Sequence, residues 1–271
     1  MPTHDGDSDL PRKEPLLPTP GIFLWGGGRA DLADPVNPPA LAGVDPLWAE
    51  DALACAPWQE LLSAGESWWF SRQRAPGRVV VCGPCSSSLD VARLFAGKDM
   101  LSPWDSVLAV SQRAGRGQLG RSWESPPGNV YGALLLPPVP KEWDDRLSLL
   151  VGFCLVRFLR SKNIPACIKW PNDLLVAGVK VAGVLIEERE GRCMAGIGIN
   201  LTSCPPKEML RAGHAAPAGH LRQLTGFMGA PLGVWRDLVD FVRVCYETVL
   251  AREAASTAAS LIKPFMCGGA Q

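Results

Sequence analysis

The chain has no excess of charge, no long hydrophobic run and no basic, apolar leader. Its 271 residues carry 27 Lys+Arg against 27 Asp+Glu, a formal net charge of zero. A protein whose main partner is a nucleic-acid backbone needs a basic excess, so that class is set aside, although a local basic pocket is not. The longest apolar stretch, Leu147 to Leu159, is broken by Ser148 and Arg157 and falls short of the roughly 20 residues a membrane-spanning helix requires. Asp5, Asp7 and Asp9 stand where an export signal would be basic and then apolar. Export is therefore not expected. Nine cysteines, an odd number, are scattered along the chain. They point to reduced, mostly buried thiols in a cytoplasmic protein rather than a disulfide framework. No internal repeat is present, and residues 1–77 carry no helix-turn-helix pattern.

What is there suffices for a full core. Apolar residues make up 47% and charged residues 20%, which excludes wholesale disorder and fits one large domain or a domain with an appendage. Residues 1–77 read as a Pro-, Gly- and Trp-rich N-terminal extension. Its first 20 residues are polar and aperiodic, which predicts disorder, and a short helix is expected around Pro46 to Ala64. Trp25, Trp48, Trp58, Trp68 and Trp69 lie in this segment, so part of it should pack on the main domain. From residue 78 to 252 strand-like and helix-like signals mix. Strands are expected at Arg78–Cys82, Val107–Val110 and Asn129–Leu136. Helices are expected at Ser87–Ala96, Asp144–Ser161 and Val234–Arg252, each with apolar residues at helical spacing. Cys167–Asn200 reads as a meander of short strands, turning at Pro171-Asn172-Asp173, Ala177-Gly178 and Glu190-Gly191. Hairpins and separate long helices together predict an α+β fold, a mixed and mainly antiparallel sheet with helices packed on one face. Residues 253–271 form a C-terminal tail.

Two motifs fail on context. Cys82-Gly83-Pro84-Cys85 has the spacing of a redox pair between strand and helix, yet no aromatic residue precedes it and no strand-leading proline follows to face it. Gly115-Arg116-Gly117-Gln118-Leu119-Gly120 spells the dinucleotide fingerprint. Pro126, Pro127 and Gly128 nonetheless prevent the helix that would receive a pyrophosphate. The same loop, extended from Gln112 to Trp123, is rich in glycine and guanidinium, a combination suited to cradling an oxyanion. Downstream follow Ile168-Lys169-Trp170-Pro171-Asn172-Asp173, then Lys180-Val181-Ala182-Gly183-Val184-Leu185-Ile186-Glu187, then Gly196-Ile197-Gly198-Ile199-Asn200. Two lysines and a rigid turn should converge at one edge of a sheet.

These four motifs, in this order, resemble the biotin protein ligase catalytic domain of the biotin/lipoate ligase family, a fold similar to that of class II aminoacyl-tRNA synthetases. The likeness covers residues 78 to about 203 firmly and reaches about residue 252 loosely. It implies activation of biotin with ATP to biotinyl-5′-AMP, aided by Mg²⁺. The biotinyl group then passes to one lysine of the biotin carboxyl carrier domain of a carboxylase. The resemblance implies Arg116, Lys169 and Lys180 as the catalytic cations. It assigns biotin to Ser87, Ser88, Leu89, Gln112, Arg116, Gly117, Gln118 and Lys169, and ATP to Gly115, Arg116, Arg121, Trp123, Asn172, Lys180 and Asn200. Asp173 would place metal or the acceptor amine. This chain departs from the family pattern in having Ser87-Ser88-Leu89 where Ser-Thr-Asn is usual, and Gln118 where arginine is common. Neither the family's small C-terminal β-barrel nor its N-terminal DNA-binding module is expected, so a ligase without repressor function is. A lipoate or octanoate ligase or transferase of the same fold, or a catalytically weak biotin- or adenylate-binding sensor, are the competing readings. Monomer and homodimer both remain open.

Overall fold

The short β-branched and aromatic runs all enter one sheet. The computed structural model describes residues 17, 20–27, 32–63, 65–206, 216–254 and 256–268. Its strands are β1 (Gly21–Gly27), β2 (Gln59–Ser63), β3 (Glu66–Ser71), β4 (Arg78–Cys82), β5 (Ser106–Ala109), β6 (Val130–Leu135), β7 (Ala166–Lys169), β8 (Asp173–Val176), β9 (Val179–Arg189) and β10 (Arg192–Ile199). They pair in the order β2-β3-β1-β4-β5-β6-β10-β9-β8-β7. β4 lies parallel to β1 and to β5, and the other neighbours are antiparallel. Val79, Val80 and Val81 of β4 are all buried, as an interior strand covered on both faces demands. The expected hairpin turns are in place. Ala177-Gly178 joins β8 to β9 and Glu190-Gly191 joins β9 to β10, each pair with positive φ at both positions, the conformation two-residue hairpin loops require.

The helices are α1 (Pro38–Ala42), α2 (Pro46–Ala54), α3 (Ser88–Gly97), α4 (Leu147–Ser161), α5 (Leu221–Thr225), α6 (Pro231–Arg252) and α7 (Ala258–Ile262). Asp45 caps α2, accepting from the backbone N–H groups of Leu47 and Trp48, and Pro46 follows at the first helical position. The expected longer helix here stops at Ala54, and β2 begins at Gln59. The N-terminus of α6 is capped from across the chain. The Asp51 carboxylate accepts from Leu232 N at 2.7 Å and Gly233 N at 2.9 Å.

Alternate strand residues feed two cores. The two long helices share one face, as expected: Leu150 and Val151 of α4 and Trp235 and Leu238 of α6 cluster with Leu24, Val79, Val81 and Leu134. The shorter α3 lies on the opposite face, where Leu89, Ala92 and Phe95 meet Phe23, Val80, Val107 and Ala133. Helices thus occupy both faces, because the central strands β1, β4 and β5 are apolar on both. α3 reaches β5, β6 and part of β10, and beyond it the same face of β9 and β10 is surfaced by glycines.

Two further expectations need correction. Residue 77 does not divide two structural units. β1 sits between β3 and β4 in the same sheet, and Trp25, Trp48 and Trp68 are completely buried in the shared cores. Nor are all cysteines free. Cys167 of β7 is disulfide-bonded to Cys267, and the backbone of Met266 and Cys267 runs alongside Ile168. The other seven are free, five of them buried. Apart from Leu17 and Pro20, the disorder expected of residues 1–20 lies outside the described residues.

Candidate functional site

Sheet register builds the site. Lys169 stands opposite Asp173 across β7 and β8, Asp173 opposite Gly183 on β9, and Gly183 opposite Gly198 on β10. One cross-strand row therefore holds a cation, an anion and two residues without side chains. The indole of Trp123 lies over the two glycines. An added methyl at Gly183 would come within 3.0 Å of it, and one at Gly198 within 2.6 Å. The buried Nε1 of Trp123 has no hydrogen-bond acceptor. Lys180 completes this corner, its Nζ 2.6 Å from Asp173 Oδ1 and 5.0 Å from the centre of the Trp123 ring. Both lysines thus neighbour Asp173 of the Pro-Asn-Asp turn, Lys169 by strand register and Lys180 by an ion pair.

The glycine- and arginine-rich segment is a closed hairpin. Trp123 N donates to Gly115 O at 2.8 Å, Gly117 N donates to Arg121 O at 2.7 Å, and Arg116 bridges to Ser122. Gly115 is obligatory for steric reasons, since a Cβ there would fall 2.4 Å from Trp123 O. The tip is a single 3-10 turn, Gln118–Gly120, with Leu119 in the left-handed region and 90% exposed. Extended chain and turn lead from it to β6, so no helix N-terminus follows to receive a pyrophosphate. Gln118 is half-buried at this tip and Arg121 is exposed.

At the foot of the hairpin the neutral groups meet. Ser88 donates from its N at 2.8 Å and its Oγ at 3.2 Å to Gln112 Oε1, and Gln112 Nε2 donates to Ser125 Oγ at 2.8 Å. Ser87 is buried at the N-cap of α3. Leu89 is buried too, pressed against Gly196, where an added methyl would come within 2.7 Å of it. A cleft of 370 Å³ opens beside this network, bordered by Gln112, Glu124, Ser125 and Cys204 among others.

Arg116 is held by two carboxylates that sequence reasoning did not single out. It reaches Asp90 of α3 and Glu187 of β9, each at 2.8 Å. Its hydrogen bonds to Glu187 and then to Asp90 hold the guanidinium well above its ordinary pKa. Burial pushes the Asp90 carboxyl up, but the hydrogen bonds and charge of Arg116, with Ser86 and Arg93, carry it below the usual carboxylate range. Glu187 closes the Lys-x-Ala-Gly-x-Leu-x-Glu strand, a signal within reach. Asp90 follows the serine pair with nothing to distinguish it from a helix-surface acid.

Asn172 and Asn200 pin the floor. Asn172 Nδ2 donates to Val184 O and the buried Asn200 Nδ2 to Gly219 O, both at 2.9 Å. Among the described residues no group of three or more His, Cys, Asp or Glu could hold a metal ion, and the Asp173 carboxylate is paired with Lys180. This donor set does not fit a resident metal. The Cys82–Cys85 pair is fully buried, and the Cys82 thiol is pushed well up by its hydrogen bond with Cys85 and by burial, the reverse of an activated thiol. No helix among the described residues is long and apolar enough to cross a membrane.

Residues 92–202 match the model of the Biotin/lipoate A/B protein ligase family. The chain is 38% identical over 125 residues to the biotin--[acetyl-CoA-carboxylase] ligase of Paracoccus denitrificans, covering 43% of this chain and 51% of that protein. It is 30% identical over 176 residues to the ligase of the same name from Mycobacterium tuberculosis, covering 58% and 61%. With the bifunctional ligase/repressor BirA of Bacillus subtilis the identity is 38% over 107 residues, 36% of this chain and 33% of that one. The matches thus span between a third and about three fifths of these relatives' lengths. Among solved structures, the biotin protein ligase from Aquifex aeolicus in complex with biotin and ATP superposes with a TM-score of 0.59 at 26% identity, covering 69% of this chain and 78% of that one. The Leishmania major enzyme in complex with biotinyl-5-AMP shows the same fold, with a TM-score of 0.59 at 23% identity over 71% and 83%.

Proposed function

We propose, from the match of residues 92–202 to the model of the Biotin/lipoate A/B protein ligase family, that the chain activates biotin with ATP to biotinyl-5′-AMP and passes the biotinyl group to a lysine of a biotin carboxyl carrier domain. One observation carries the reading. Lys169, Asp173 and two facing glycines lie in one sheet row, with Lys180 and Trp123 closing over it. That is a flat glycine surface covered by the Trp123 indole, with cations at one end, which suits an acid whose carboxylate must be brought to a phosphate.

The chemical difficulty is the approach of two anions. A carboxylate oxygen attacks the α-phosphorus, the bond to pyrophosphate breaks, and charge gathers on the phosphoryl oxygens. Fixed cations lower that barrier more than they stabilise the separated substrates. Lys169 meets the biotin carboxylate, Lys180 the α-phosphate and Arg116 the phosphate from the hairpin side. Ser87, Ser88 and Gln112 offer the neutral donors and acceptors an uncharged ureido ring needs, with Leu89, Gly117 and Gln118 bounding the slot. On the nucleotide side stand Gly115, Arg121 and Trp123. Asn172 acts there by holding β9 and Asn200 by holding the Gly219 backbone, since their amide nitrogens are engaged by the Val184 and Gly219 carbonyls. Mg²⁺ enters as the counter-ion of the triphosphate and so as part of the substrate. In the second half-reaction the carrier lysine's amine attacks the mixed anhydride and releases AMP, with Asp173 placed to orient that amine. The seven free thiols suit a reducing cytoplasm as the site of reaction, whereas the Cys167–Cys267 bridge does not.

Incubation with ATP, biotin and an apo carrier domain should add one biotinyl group to one lysine, read by mass spectrometry. An octanoyl or lipoyl adduct in place of the biotinyl one would move the chain to the other branch of the family. Tight binding of biotin with no adduct would make it a sensor.

A further inference from the structure

Four charged side chains from three parts of the chain close into a ring. Arg116 engages Glu187 through Nε at 2.8 Å and Nη2 at 3.2 Å, and Asp90 through Nη2 at 2.8 Å and Nη1 at 3.1 Å. Arg93, on the same helix as Asp90, takes that carboxylate at 3.1 Å and also pairs with Glu187. Each carboxylate thus meets two guanidiniums, and each guanidinium two carboxylates. All four side chains are less than a third exposed.

The two arginines are not equivalent. Arg116 is on the hairpin, while Arg93 is anchored in α3, which packs into the core through Ala92 and Phe95. In the adenylation proposed above, on which this inference rests, Arg116 must turn its fork to a phosphate. Both edges of that fork are occupied in the ring. If Arg116 left alone, two carboxylates would remain close together in a partly desolvated site, an arrangement that resists ionisation. A cation that stays behind removes the conflict.

We propose that Arg93 is a positioning residue that retains Asp90 and Glu187 when Arg116 transfers to the nucleotide phosphate, so that the ring exchanges one arginine rather than breaking. Arg93 favours release of Arg116 in two ways. It competes for the same carboxylate oxygens, and it neutralises them afterwards.

The test is the KM for ATP in biotin-dependent ATP–pyrophosphate exchange. Arg93→Gln leaves Arg116 as the sole cation between two acids, and KM should rise about tenfold, the scale of one charge-assisted hydrogen bond. The rate at saturating ATP should change far less. Arg93→Lys keeps the charge and should stay close to wild type. The double variant Arg93→Gln/Asp90→Asn restores one carboxylate per arginine and should recover most of the lost affinity. A ring that merely staples the fold would make the double variant worse than the single. Should Arg93→Gln fail to fold, Asp90→Asn alone loosens Arg116 and should lower KM, and an unchanged or raised KM would overturn the proposal. An unchanged KM in a folded Arg93→Gln protein, with exchange intact, overturns this inference alone. Absence of exchange in the wild-type protein overturns the adenylation reading and this inference with it.

Discussion

Replacing Gly198 by Ala puts one methyl group under the Trp123 indole. The ideal Cβ position lies 2.6 Å from Cε2, 2.7 Å from Cζ2 and 2.8 Å from Nε1 of that ring. Non-bonded carbon atoms settle at about 3.5–4.0 Å, so the indole must lift by about 1 Å. Gly198 lies in an interior strand paired on both sides, which leaves the side chain rather than the backbone to yield. Overpacking of this kind costs about 1–3 kcal/mol of stability. Its effect on turnover should be larger in proportion. Lys180 rests over the same ring, and displacing a catalytic group by about 1 Å is a change on the order of a hundredfold in rate. Thermal melts and single-turnover adenylate formation should be measured on the same preparation. Gly191→Ala serves as the control. It lies between strands, in the β9–β10 turn with φ 70 and nothing near its Cβ, so it should lose stability through backbone strain without losing turnover. A folded Gly198→Ala protein forming adenylate within about twofold of wild type would refute the reasoning, because Trp123 would then not set the geometry of Lys180.

Asp51 supplies a pH test. Burial raises its pKa from 3.8 to about 6 despite the Leu232 and Gly233 N–H groups that favour its ionised form. A carboxyl raised on folding contributes stability that is fully present below its unfolded pKa and lost as pH rises through 6. Relative to Asp51→Asn, wild type should therefore lose about 2 kcal/mol of unfolding free energy between pH 4 and 6.5, and parallel pH profiles would count against it. Gln118→Arg adds a cation at the hairpin tip, and release of biotinyl-adenylate should slow about tenfold if that position faces the phosphate; equal release rates would mean that it does not. Serine at both Cys82 and Cys85 should leave the specific activity of the folded protein intact in reducing buffer, although two buried hydroxyls lower the melting temperature. A loss of turnover without loss of folding would revive a redox role.

Local signals were legible where the physics is local. The dipeptides Ala177-Gly178 and Glu190-Gly191 marked two hairpin turns because few residue pairs tolerate positive φ. The apolar spacing of Leu147, Leu150, Val151 and Cys154 marked α4 because helical period and burial coincide there. β1 was not legible. Its Gly26 and Gly27 look like a loop, and its partners β3 and β4 are set by pairing across distant sequence. The boundary expected at residue 77 failed for that reason. The Cys167–Cys267 bridge, with a separation of 100 residues, depends on the C-terminal segment returning to β7, which no local pattern announces. In the site, Lys169, Lys180, Gln112 and the Gly-Arg loop could be named because they fall in the four ordered motifs that carry the family resemblance. Asp90 and Arg93 could not, since on a helix three positions apart they read as an ordinary surface ion pair. Only the approach of β9 and the hairpin converts them into half of a ring.

The central claim is that this site joins biotin to AMP. Exchange of labelled pyrophosphate into ATP, with biotin as the one variable, tests it most directly, because exchange requires reversible adenylate formation and no acceptor protein. The account predicts exchange with biotin that falls by about a hundredfold or more in Lys180→Ala, as loss of one preorganised charge should produce. Exchange supported by octanoate or lipoate and not by biotin, or biotin-dependent exchange undiminished in Lys180→Ala, would contradict it.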